Sequence, residues 1–129
     1  MISTVEVQER NKAIVIEMIE RIFVKRDPSV LDEHPGLSET VAVMERRAAA
    51  FPDLSIRVEN IIAEGDHVAY IVWAKGTHLG PFAGVPATGK SIEYSAIGFD
   101  RLEDGRIVQH NANPDLHAIL VGIGAMPRS

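Results

Sequence analysis

Asp104-Gly105 lies between two stretches that alternate in polarity, residues 91–102 and 106–113. Asp-Gly supplies the two positive-φ positions of a tight hairpin turn, and its flanks carry the period of two that strands need. The dipeptide therefore commits this half of the chain to antiparallel sheet. It also proposes a register. With a two-residue turn, Glu103 faces Arg106, and one face holds Ala96, Gly98, Asp100, Leu102, Ile107, Gln109, Asn111 and Asn113. The other face holds Ile97, Phe99, Arg101, Val108, His110 and Ala112. Asp115 continues the parity of the first face. The convergence of Asp100, Gln109, Asn111, Asn113 and Asp115 reads either as the solvated side of a sheet or as the polar lining of a cavity. Apolar residues on both faces favour the cavity.

The rest of the chain supplies two more strands and two helices. Leu54, Ile56 and Val58 alternate with Ser55, Arg57 and Glu59, and Glu64-Gly65-Asp66 is a turn signal. Residues 67–78 are apolar on both faces, as in a central strand covered on both sides. Residues 78–90, with three glycines and two prolines, read as an irregular loop. Upstream, Ser3 and Glu6 have capping-box spacing, and Val15, Met18, Ile19, Ile22 and Phe23 form one helical stripe that Asp27-Pro28 ends. Residues 27–36 are a connector. A second helix, capped by Ser38, carries Val41, Met44, Ala48 and Phe51 on its apolar face, and Pro52 stops it. Residues 115–125 form a short apolar tail. Helices followed by four antiparallel strands predict an α+β fold in which a curved sheet wraps the helices as a cone with an internal pocket, in a single domain over residues 1–129.

Composition narrows the function. A net charge of -5 with 13 Lys and Arg and no basic run argues against nucleic acid as a partner. No run of 18 apolar residues is present, so no membrane span is expected. The start, MISTVEVQER, shows no secretory pattern, and the expected location is cytoplasmic. The absence of cysteine removes thiolate chemistry. Five histidines invite a metal, yet no HxH or HExxH spacing occurs, and neither metal nor cofactor is expected.

Three stretches, FPDLSIRVENIIAEGDHVA, GTHLGPFAGVPATGKSI and FDRLEDGRIVQHNANPD, resemble the SnoaL-like polyketide cyclases of the nuclear transport factor 2-like superfamily. The likeness covers residues 51–124 and, more loosely, the first helix. It implies a cone-shaped α+β barrel, a homodimer, and intramolecular aldol closure of a polyketide without a cofactor. The family's acid/base aspartate matches Asp115, and the histidine of its Glu-His-Trp stretch matches His110. Gln109 stands for the glutamate and Asn111 for the tryptophan. The family's strand-like segment between the first two helices is replaced by the short connector, so its polar wall residue carries over to His34.

The expected function is thus cofactor-free acid/base catalysis on a small hydrophobic carbonyl compound. Asp115 acts as base and then acid, with His110 or an asparagine amide steadying the enolate oxygen. Asp100, Asn111, Asn113 and Gln109 line the pocket, with Tyr94 and Trp73 as wall aromatics and His34 from the connector. Asp115 also has a structural reading, as N-cap of the apolar tail. His110 has one as a half-buried strand histidine. An epoxide hydrolase or isomerase, with a water held by Asn111 and Asn113, is the alternative enzyme. A non-catalytic ligand-binding or dimeric scaffold protein is the third reading, and an exposed, helix-capping Asp115 would favour it.

Overall fold

The computed structural model describes residues 3–127. Ser3 Oγ accepts from the Glu6 N–H at 3.1 Å and opens α1, Thr4–Ile19. Its last turn widens into a π turn, Glu20–Val24, closed by Lys25 N–H to Glu20 O at 2.9 Å. Val15, Met18, Ile19 and Ile22 are buried, as the stripe requires. The chain then reverses at Arg26, whose φ is 54°. The connector folds into α2, Val30–Glu33, and a 3₁₀ turn, Pro35–Leu37. Helix α3, Thr40–Ala50, has Glu39 at its N-cap with no side-chain cap bond, so Ser38 does not cap it.

Strands β1, Ser55–Glu64, β2, His67–Thr77, β3, Ser91–Glu103, and β4, Arg106–Pro114, pair antiparallel in sequence order. Helix α4, Leu116–Gly122, follows β4. Two adjoining apolar clusters hold the helices to the sheet. In one, Val15, Met18, Ile19 and Ile22 pack with Val68, Tyr70, Val72, Leu102 and Ile107. In the other, Phe51 and Leu54 meet Ala74, Ile92, Tyr94, Ile119 and Ile123, so α4 closes the far end of the sheet. Burying such side chains contributes roughly 1.5–3 kcal/mol each.

The β3–β4 turn forms as the sequence predicts, with Asp104 at φ 50° and Gly105 at φ 77°. Glu103 faces Arg106 and Leu102 faces Ile107, but Arg101 then pairs with Gln109. Val108 is an extra residue, a β-bulge. The expected register holds for two pairs and then slips by one, which exchanges the faces of every β4 residue beyond it. Asp100 lies opposite His110, Gly98 opposite Ala112, and Ala96 opposite Pro114. Gln109, Asn111 and Asn113 pair with Arg101, Phe99 and Ile97 on the outer face. The predicted face, with Asp100 beside Gln109, Asn111 and Asn113, is corrected accordingly.

The connector seals the bulge. His34 Nδ1 accepts from the Ile107 N–H at 3.0 Å, and Arg106 Nε donates to Glu33 O at 3.2 Å. Gly36 lies so close to β4 that a Cβ there would stand 2.6 Å from Gln109 N and from the Val108 carbonyl carbon. These contacts cover the edge strand at the point where its own ladder is interrupted.

Candidate active site

The sheet, the end of α1, the connector and α3 enclose a cavity of about 550 Å³, within the range of small-molecule sites. Ile19 and Phe23 come from α1 and the π turn, Pro35 and Gly36 from the connector, and Thr40, Val43 and Arg47 from α3. The inner sheet face supplies Ile56, Tyr70, Val72, Ala74, Tyr94, Ala96, Gly98, His110, Ala112 and Pro114. The lining is mostly apolar, so its few polar groups stand out.

Two cross-strand rows carry the chemistry. Val68, Asp100 and His110 lie abreast, and Tyr70, Gly98 and Ala112 form the neighbouring row. Asp100 is fully buried behind the lining. Its Oδ1 meets His110 Nδ1 at 2.5 Å, and its Oδ2 accepts from the Tyr70 hydroxyl at 3.2 Å. With Asp100 ionised, the imidazole proton sits on Nδ1 and the lone pair on Nε2. The His110 side chain is 8% exposed, and among the described residues its hydrogen bond runs through Nδ1 to Asp100. The arrangement is an imidazole oriented by a buried carboxylate, the geometry that acid/base catalysis by a histidine requires.

Tyr70 reaches Asp100 because residue 98 is glycine: a Cβ there would overlap the phenol ring. Burial, followed by the Asp100 charge and its hydrogen bond, pushes the Tyr70 phenol far above its usual value. Tyr70 therefore stays neutral and donates at any working pH. Among the described residues no third histidine or acidic side chain joins Asp100 and His110 as a metal-ligand set.

The predicted site residues separate. His110 faces the cavity, backed by Asp100, and Tyr94 forms part of its wall. Gln109 and Asn111 border it along the β4 edge, although the register assigns both to the outer face. Asn113 and Trp73 are on the outer face, away from the lining. His34 is buried but does not line the cavity; burial lowers its pKa, with Glu33 opposing and Arg21 adding, and its neutral ring serves the Ile107 N–H. Asp115 is exposed and caps α4, its Oδ1 accepting from the Ala118 N–H at 3.0 Å. It contributes nothing to the cavity wall.

Tyr70 and Arg47 are cavity residues that the sequence reading missed. Tyr70 alternates with Val68 and Val72, and a tyrosine inside an apolar row signals a hydroxyl with a buried partner. Thr40, Val43 and Arg47 follow i, i+3, i+7, which places a cation on an inward-facing helical stripe.

A curved antiparallel sheet wrapped around N-terminal helices, with an apolar cavity between them, is the nuclear transport factor 2-like fold. The chain belongs to the SnoaL-like polyketide cyclase family, whose profile matches residues 3–122. Among solved structures it is similar to AclR from Streptomyces galilaeus, described as a candidate hydroxylase, at 29% identity and TM-score 0.85, over 95% of this chain and 85% of that one. TsrD from Streptomyces laurentii is 27% identical with TM-score 0.77, over 89% and 98% of the two chains. IdmH from Streptomyces antibioticus, a candidate polyketide cyclase, is 26% identical with TM-score 0.74, over 88% and 98%. No curated protein matches.

Proposed function

We propose that the chain is a cofactor-free acid/base catalyst of aldol-type ring closure, acting on a hydrophobic polyketide-like carbonyl compound held in the cavity. The observation that carries this reading is the Asp100–His110 pair, at 2.5 Å, with His110 on the cavity wall. His110 Nε2 removes a proton alpha to a carbonyl, and the electron pair of that C–H bond becomes the enolate. The enolate carbon attacks a second carbonyl of the same molecule, forming the ring bond. The resulting alkoxide takes the proton back from His110 Nε2–H. Asp100 holds Nδ1–H throughout and stabilises the imidazolium between the two transfers. Family membership and the cyclase description of IdmH support the reaction class.

The role expected for Asp115 passes to this pair. An exposed, helix-capping Asp115 taken alone favours a binding protein; a second acid/base group inside the cavity restores the enzymatic reading. The epoxide hydrolase alternative asks for a water held by an aspartate with an asparagine or histidine; Asn113 lies on the outer face, while Asn111 borders the cavity.

Enolisation is testable without the natural substrate. Aryl 1,3-dicarbonyl compounds in deuterated buffer should exchange their α-hydrogen faster with the protein, and His110→Gln should remove the acceleration by about 10²-fold or more. Accelerated exchange that survives in His110→Gln would assign the chemistry elsewhere. No acceleration by the native protein across such a panel would make this a ligand-binding module.

A further inference from the structure

Arg47 is a cavity cation with no carboxylate partner among the described residues. It projects from the last turns of α3 into the lining. Its guanidinium lies over the Phe82 ring, 5.7 Å from the centroid, and over the Tyr94 ring at 5.4 Å. Nη1 donates to the Tyr94 hydroxyl at 3.0 Å. Arg21 and Arg101, by contrast, are both paired with carboxylates. Among the described residues no carboxylate lies within ion-pair distance of Arg47; Glu39 also borders the cavity but is exposed at its rim. A half-buried charge facing an apolar space, with a phenol and two rings but no carboxylate beside it, is better satisfied once an anionic ligand supplies the counter-charge.

The neighbouring groups define that ligand. Two aromatic rings fix the guanidinium plane, so its remaining N–H edges keep a set direction. Tyr94 is buried, and because its oxygen accepts from Arg47 its own hydrogen is left to donate. A fork of guanidinium N–H groups beside one phenol O–H matches the two oxygens of a carboxylate. Tyr94 and Asp100 are six residues apart on β3, roughly 20 Å of strand at about 3.3 Å per residue. The anion anchor and the His110 base thus occupy different ends of one cavity.

We infer that the substrate is an extended carbonyl compound carrying a carboxylate, bound by Arg47 and Tyr94 with its reacting carbons at His110. This rests on the acid/base reading for the reacting end only; the anchor itself is tested by equilibrium binding. The probes are anthraquinone-2-carboxylate and its methyl ester, titrated calorimetrically into the full chain. The native protein should bind the acid about tenfold more tightly than the ester. Arg47→Met should abolish that preference by weakening the acid alone, and Arg47→Lys should restore part of it, since lysine keeps the charge but not the fork. Tyr94→Phe, which removes one hydroxyl and leaves the ring packing, should weaken the acid severalfold and leave the ester unchanged. Equal affinities for acid and ester in the native protein, including no binding of either, would overturn the inference. So would an acid preference that survives in Arg47→Met. Acid preference without α-hydrogen exchange would sustain the anchor and sink the catalytic reading, and exchange without acid preference would do the reverse.

Discussion

Asp115 and His34 show how one residue type can serve structure where chemistry is expected. Asp115 satisfies a free N–H at the start of α4. Asp115→Ala should cost about 1 kcal/mol of stability, the usual worth of an N-cap, read by chemical denaturation. Its α-hydrogen exchange should stay native. His34 must be neutral to accept from the Ile107 N–H. Its folded pKa is lowered by burial, so between that value and the unfolded value of about 6.5 the unfolded chain binds more protons. Stability from this group is complete above that window and falls as pH drops through it. Urea midpoints of the native protein should therefore decline below about pH 6.5, and His34→Gln should flatten that part of the profile. An unchanged slope in the variant would remove His34 as the cause.

At the scale of the element, the β3–β4 hairpin decides which side chains meet. Its turn was legible because Asp-Gly is one of few pairs that adopt two positive φ angles cheaply. The bulge was not, because Val108 looks like any strand residue and carries no glycine or proline mark. One extra residue was enough to send His110 to Asp100 and the asparagines to the opposite face. The strand boundaries and the α1 stripe were readable from periodicity, since burial on one face leaves that imprint directly. The inward register of the polar groups was not, since it depends on pairing set by the connector and the bulge. Gly98 is the other hidden determinant. Gly98→Ala would drive a methyl into the Tyr70 ring and separate it from Asp100. A loss of about 1–3 kcal/mol is expected from such overpacking, measured by denaturant unfolding. A neutral result would mean that the ring has room to move.

Across the whole molecule, the two faces of the sheet have different tasks. The inner face holds the cavity, and the outer face exposes Ile62, Ile97 and Phe99, at 66%, 58% and 49%. Ile62, Ala69, Phe99 and Asn111 form one row across all four strands, and Ile97 lies in the next beside Ile71 and Asn113. We propose that this face joins two copies of the chain, with the asparagines at the polar margin of the apolar patch. Phe99→Glu should shift sedimentation equilibrium toward monomer while leaving the fold intact. A monomeric native protein at micromolar concentration would refute the pairing. Among the described residues no helix is long and apolar enough to cross a membrane. On the inner face, acid/base chemistry is assigned to the Asp100–His110 pair and not to Asp115. The most direct measurement compares α-hydrogen exchange of an aryl 1,3-dicarbonyl compound in His110→Gln and Asp115→Asn. A loss of about 10²-fold or more is expected in the first and a native rate in the second. A native rate in His110→Gln with loss in Asp115→Asn would contradict that assignment.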